Sequence, residues 1–519
     1  MTEFKWKVLA VVSLGSLMGS IDSTVLLIAF PDVARDLGAN LVEMVWVLMV
    51  YILMGTALVL SLGRVADLKG RKKLYNAGFG VFVLGSLLCG FAQTGLELVA
   101  SRAVQGVGGA MLVANSFAIL SDAFPPNERG RAFGINSVVW GTGSIIGIGL
   151  GGLILSVTTW RWIFFINVPI GTLATGLAAI VLRESVTPDP RETFDFTAAV
   201  LFVGSLACFL LGVTDGILFG LSAPSTYLPL LLGVPLFGSF VLWEARISRD
   251  PILPFGLFRD WLFSASLSSS MLQGVAIFAT NFLLMVYFQG IRGVSVLTAA
   301  YLLVPLSLAL GIVGPIGGRL SDRYGARVIS TVGLLVQATA LLGFANVAAS
   351  TPLSTGAPWE AVMGVGGGLF FPANTSSIMA SVPRERYGVA SGVMMTLRNS
   401  SMAVSFAVGL VALTSRLPAG TAADLFGGAF DPATIARLGL TPAGIDSIFE
   451  SGMHLAFSVS AVFVLVAAVF SVLRGKERRS GEAFLPRRGT VRAPTIWADG
   501  PDPEAPASAG SATLPPSVR

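Results

Sequence analysis

Long apolar runs alternate with short polar connections along most of the chain. Fourteen runs can be drawn, at about 8–30, 42–62, 75–93, 97–122, 132–156, 162–182, 195–214, 227–245, 262–288, 297–317, 328–348, 358–381, 388–413 and 453–473. Each is roughly 20 residues or a little longer, the length a helix needs to cross about 30 Å of hydrocarbon. The pattern predicts an all-α polytopic membrane protein with fourteen transmembrane helices.

Composition strengthens this picture. The chain has 519 residues, 54% hydrophobic and 12% charged, against about 25% charged in soluble proteins. Its net charge of +5 is spread over short connections rather than one soluble face, so nucleic acid is not expected as a partner. The same charges orient the chain. With the N-terminus in the cytoplasm, only Arg35, Arg161, Arg292, Arg416 and Arg437 face outward, and Arg102 and Arg398 lie within runs. All other Lys and Arg residues fall inside, which places both termini in the cytoplasm of a multi-pass protein of the cell membrane. The first run is too long for a cleavable signal. Cys89 and Cys208 lie in apolar runs, so no disulfide framework is expected. The single histidine, His454, gives no metal site.

One acid stands out inside the first run: Asp22, within Gly19-Ser20-Ile21-Asp22-Ser23-Thr24. A charge at that depth costs several kcal/mol unless paired, and such residues mark ion or proton sites. Arg102, in the fourth run, falls at a comparable depth: about 8 Å from the outer surface, against about 12 Å for Asp22. A proton-coupled carrier needs a carboxylate whose affinity for the proton changes with its surroundings. Asp22 is the candidate for that role and Arg102 the group that tunes it, with protons as the coupling ion and no other cofactor.

The chain also repeats itself. Gly63-Arg64-Val65-Ala66-Asp67-Leu68-Lys69-Gly70-Arg71 follows the second run, and Gly318-Arg319-Leu320-Ser321-Asp322-Arg323-Tyr324-Gly325 follows the tenth. Gly, Arg, Asp and Gly match at one constant offset. A weaker echo links Ala114-Asn115 to Ala373-Asn374. Two related halves of a transporter give such a pattern. The expected organisation is a six-helix half at 1–190, two inserted helices at 191–258 and a second six-helix half at 259–475. A long external segment at 414–452 interrupts the second half. A Pro, Ala and Ser-rich tail at 476–519 reads as disordered and cytoplasmic. Positive charge explains the Lys and Arg of the repeated loop, but not the repeated Gly and Asp. Gly63 permits close helix approach, and Asp67 can face the positive N-terminal end of another helix.

The chain thus resembles the major facilitator superfamily, specifically its fourteen-helix drug:proton antiporter branch, over about residues 1–475. The Gly63–Lys73 loop carries most of the resemblance. Arg102-Ala103-Val104-Gln105-Gly106-Val107-Gly108-Gly109 resembles the fourth-helix motif, and Trp160-Arg161-Trp162-Ile163-Phe164-Phe165-Ile166-Asn167-Val168-Pro169 the sixth-helix string. The resemblance implies that Gly63, Arg64, Asp67, Gly70, Arg71, Gly318, Arg319 and Asp322 form a conformational gate. It places an antiporter motif on the fifth helix, where Gly143, Gly147, Gly151 and Gly152 make a packing face. Ile148 stands where the family has proline, which weakens antiport relative to symport or facilitated diffusion.

Polar and aromatic positions within the runs are candidates for a substrate cavity: Asn115, Trp140, Gln273, Asn281 and Asn374, with Asn136, Gln289 and Asn399 behind them. Interhelical hydrogen bonding explains each equally well. The scarcity of intramembrane acids disfavours a dication. The glycine clusters at 106–109 and 364–368 lack the strand and the Gly-Lys-Ser/Thr of a nucleotide loop, so no nucleotide is expected. No catalytic constellation is present. The reading is a monomeric, proton-coupled exporter of lipophilic cationic or neutral compounds such as drugs, working within the lipid bilayer. The alternatives are export of an endogenous lipid, siderophore or amino acid, and a non-transporting scaffold or sensor.

Overall fold

The computed structural model describes residues 2–39, 41–185, 192–219, 223–288, 301–347, 355–414 and 442–475, with 292, 294, 298, 351 and 352. Among these residues there is no strand. In hydrocarbon a backbone must satisfy its own hydrogen bonds, and a helix does so within one segment. Among the described residues the helices of at least 15 residues are α1 (Thr2–Leu37), α2 (Leu41–Lys69), α3 (Arg71–Phe91), α4 (Gly95–Ala123), α5 (Arg129–Val157), α6 (Asn167–Val181), α7 (Phe196–Phe219), α8 (Pro224–Arg246), α9 (Trp261–Val286), α10 (Val304–Tyr324), α11 (Ala326–Phe344), α12 (Gly356–Ala380), α13 (Tyr387–Thr414) and α14 (Pro442–Leu473). Among the described residues 12 helical stretches are long and apolar enough to cross a membrane. The two helices outside that number are α12, diluted by Gly364 and Gly366–Gly368, and α13, several of whose side chains lie outside the described residues.

Helices α1–α6 pack on one another, and so do α9–α14. The two sets meet where α5 lies against α10 and α12, and where α2 and α4 lie against α13. The inserted pair, α7 and α8, packs together, and α7 leans on α2 and α13. Glycine brings these helices close. A Cβ on Gly108 of α4 would collide with the Phe82 backbone of α3, and one on Gly366 of α12 with the Gly333 carbonyl of α11. The two glycine clusters are therefore helix-packing surfaces in corresponding places of the two halves.

The structure changes several expectations. The repeated gate sequence is not a loop. Gly63–Lys69 forms the last two turns of α2, and Gly318–Tyr324 forms the end of α10. The true turns are single residues, Gly70 at φ 110° and Gly325 at φ 93°. Both values lie in the left-handed region that side chains disfavour, which accounts for the repeated glycine. The last helix begins at Pro442, so residues 442–452 of the expected external segment are helical and continuous with α14. Residues 415–441 of that segment and the tail 476–519 lie outside the described residues. Arg474, read as the start of the basic tail, is buried. It donates to Asn374 Oδ1 at 3.1 Å and to Ser330 Oγ at 2.8 Å, stapling the end of α14 to α12 and α11.

Candidate functional site

Asp22 is 1% exposed in α1, surrounded by polar groups from three other helices. Arg102 of α4 donates to Asp22 Oδ2 at 2.7 Å. Gln105, one turn further along α4, donates to Asp22 Oδ1 at 2.8 Å and to Ser86 Oγ of α3 at 2.7 Å. Asn167, the first residue of α6, donates to Asp22 Oδ1 at 3.2 Å. Arg102 also donates to Gln105 Oε1 at 2.6 Å and to the Val47 carbonyl of α2 at 3.3 Å. Its guanidinium lies 4.3 Å from the ring centre of Tyr51, a cation–π contact. Both charges are thus compensated inside the first half.

Spacing explains the geometry. Arg102 and Gln105 are three apart and share one face of α4. Gly143 and Gly147 press α5 against α1 beside Asp22: a Cβ on Gly147 would strike Thr24 Oγ1, and one on Gly143 would crowd Ser20. Gly151 is buried, but Gly152 is exposed with nothing near its missing Cβ, so it does not belong to the packing face. The α5 backbone stays helical through Ile148.

A central cavity of about 240 Å³ opens between the halves. Tyr51, Asn136 and Trp140 line it from the first half, and Gln273, Gln337, Phe371 and Arg398 from the second. Asp22 and Arg102 do not line it; Tyr51 stands between them and the cavity. Trp140 and Gln273, singled out as cavity candidates, are there. Asn115 is not: it donates to Met111 O of its own helix at 2.8 Å. Asn374 is not there either. It donates to Ser266 O at 3.0 Å and accepts from Arg474, so it holds helices together. The side chain of Asn281 lies outside the described residues, as does Gln289.

The ends of α2 and α10 tie the two halves together. Asp67 accepts from the backbone N–H groups of Gly388 and Val389, both at 2.9 Å, at the start of α13. Asp322 accepts from the N–H groups of Gly130 and Arg131, both at 2.9 Å, at the start of α5. Each acid therefore caps a helix of the opposite half, where free N–H groups and the helix dipole favour negative charge. Gly63 and Gly318 allow the approach. A side chain at either would strike the Gly388 or Gly130 carbonyl.

Around Asp67, Arg71 Nη2 donates to its Oδ1 at 2.6 Å and to Arg384 O at 2.7 Å, and Nη1 pairs with Asp122. Glu192, just before α7, reaches Arg64 at 3.1 Å and Arg386 at 3.7 Å, so the connection into the inserted helices also bridges the two halves.

Sequence reasoning missed Gln105, Asn167, Ser86 and Tyr51. Gln105 and Asn167 lay within motifs already quoted, and their position on the Asp22 layer was the available signal. It also missed Glu360 of α12, which is fully buried; neither of its carboxyl oxygens has a hydrogen-bond partner among the described residues. It lies near the start of its apolar run, where an acid draws less notice than one at mid-span.

Comparison with known proteins fits this arrangement. The sequence pattern of the Major Facilitator Superfamily matches residues 12–406. The chain belongs to this superfamily.

Among its relatives, the riboflavin transporter RibZ of Clostridioides difficile is 32% identical over 409 residues, covering 78% of this chain and 87% of that protein. The tetracenomycin C resistance and export protein of Streptomyces glaucescens is 28% identical over 510 residues, covering 92% and 94%. Among solved structures, the human organic anion transporter MFSD10 superposes with a TM-score of 0.61 at 15% identity, covering 90% of this chain and 99% of that one. This chain is accordingly a transporter of the major facilitator superfamily, and no catalytic family is indicated.

Proposed function

We propose that this transporter is a proton-coupled exporter of lipophilic compounds in the cell membrane, with both termini in the cytoplasm. We place it in the fourteen-helix drug:proton antiporter branch, working by alternating access. The observation that carries the reading is the buried Asp22–Arg102 pair, joined to the cavity through Tyr51. Ionised, Asp22 holds Arg102, Gln105 and Asn167 in one network spanning α1, α4 and α6. A proton on Asp22 cancels the ion pair, frees the Arg102 fork and unsettles Tyr51 at the cavity wall. Two states of one network then bias the two arrangements of the halves.

The gate supplies the second element. Rocking apart would separate Asp67 and Asp322 from the helix ends they cap, so the closed arrangement is held by contacts the other arrangement lacks. Fourteen long helices support the branch assignment, and the lining of aromatic rings and amides suits large apolar molecules. The names of relatives add transport of riboflavin and of tetracenomycin C, which also keeps open a second reading, transport of an endogenous planar compound.

The test is reconstitution into liposomes with an imposed pH gradient. The wild type should move substrate against its gradient when protons flow the other way. Asp22→Asn should bind substrate normally and lose proton-driven transport by at least about a hundredfold. Full proton-driven transport by Asp22→Asn would remove Asp22 from the coupling role.

A further inference from the structure

The one charged side chain among the described residues lining the cavity is Arg398 of α13. Its guanidinium lies 4.5 Å from the ring centre of Phe371 and 5.9 Å from that of Phe278. No carboxylate among the described residues pairs with it. The other polar lining groups are neutral: Asn136, Gln273 and Gln337 with a few serines. Asp22 cannot serve as its counter-charge, because Arg102, Gln105 and Asn167 already occupy that carboxylate.

A cation held in an apolar cavity strongly favours an anion beside it. The two phenyl rings take none of its N–H groups in a hydrogen bond to oxygen, so the fork stays open to a bidentate acceptor. The rings also form a flat apolar wall for whatever carries that acceptor. A cationic guest would meet like charge with no acid in the lining to compensate.

We propose that Arg398 is a substrate-binding residue and that the cavity takes flat, largely apolar molecules bearing a single negative group, a carboxylate or an acidic enol. This rests on the reading of the cavity as the transport site and replaces the cationic preference inferred from sequence. Neutral molecules bind more weakly, through the amides and rings alone.

Equilibrium binding to the full-length protein in lipid nanodiscs, with no gradient, tests the assignment. Three fluorescent probes share one ring system: anthracene-2-carboxylate, anthracene-2-carboxamide and anthracene-2-methylammonium. The wild type should prefer the carboxylate over the methylammonium by at least about tenfold. Arg398→Gln should abolish that preference, and Arg398→Lys, which keeps the charge and loses the fork, should retain part of it. A wild type that binds the carboxylate no better than the methylammonium, or not at all, overturns the proposal without any variant. So does an Arg398→Gln protein, monodisperse by size exclusion, that keeps the preference or weakens all three probes equally. Because no proton gradient is involved, failure of proton-driven transport with the preference intact would sink the antiport reading alone.

Discussion

Asp67 and Asp322 perform one task at two places, each capping the first turn of a helix in the opposite half. The polar interiors of the same two halves have little in common. The first half holds a compensated pair, Asp22 with Arg102. The second holds Arg398 facing the cavity and Glu360 fully buried, with no ion pair between them. A duplicated scaffold keeps whatever lets the halves close on each other, because both copies need it. Charges placed for cargo or protons are needed once. On the proposed function, the difference separates the moving parts from the chemistry: symmetric residues would serve the rocking motion, and asymmetric ones what is moved.

The largest expected effect comes from splitting the compensated pair. Arg102→Met leaves Asp22 buried beside amides alone. Stranding one partner of a buried pair costs about 3–5 kcal/mol. The variant should melt far below the wild type in detergent, and Arg102→Met with Asp22→Asn together should recover much of the loss. Equal melting of Arg102→Met and wild type would show that the pair is not what compensates these charges.

The gate comes next and tests the symmetry itself. Removing a side chain that caps a helix costs about 0.5–2 kcal/mol. Asp322→Ala and Asp67→Ala should each cost at least that much, and Asp67→Ala also releases Arg71. Both should open the same end, read as faster alkylation of a cysteine placed at Ser121, which is fully buried. If only one of the two raised the alkylation rate, the gate would be symmetric in sequence and one-sided in action.

Glu360 should respond in the opposite sense to Arg102. It has no partner to strand among the described residues, so Glu360→Gln or Glu360→Met removes a costly group and should leave stability within about 1 kcal/mol or raise it. Transport by Glu360→Gln at wild-type rates would leave Asp22 as the one acid with a coupling role. A loss comparable to that of Asp22→Asn would show that each half carries its own proton site.

Much of this was legible in the sequence because intramembrane charge is rare and repeats are visible. Asp22, Arg102 and both gate acids stood out as single letters in apolar or repeated contexts. What escaped needed directions. Asn115 and Asn374 look identical to a cavity lining when only composition is known. Asn115 instead returns to its own backbone, and Asn374 is taken by Ser266 and Arg474. Gln105, Asn167 and Ser86 are ordinary polar residues until three helices bring them to one carboxylate. Arg474 read as a tail anchor because charge after the last apolar run is normally solvated, whereas here Ser330 and Asn374 supply a buried socket.

The smallest effect is expected at the opposite end of the first half, where Asp36 accepts from Arg161 at 2.5 Å and from Trp160 at 2.9 Å. The hydrogen bond from Arg161, then that from Trp160, holds the Asp36 carboxyl below its ordinary value. A depressed carboxylate adds stability that is present above the unfolded value, near 3.9, and is lost as pH falls through the folded one. The pair is half-exposed, and such pairs contribute little. Asp36→Asn should therefore shift the melting temperature at neutral pH by only about 1–2 °C. That shift should be constant from pH 5 to 8 and should shrink on further acidification, as the wild-type carboxyl takes up its proton. A large shift at neutral pH would mean that this clamp, like Asp22 and Arg102, holds the first half together, and the contrast between a charged interior and a lightly charged rim would fail.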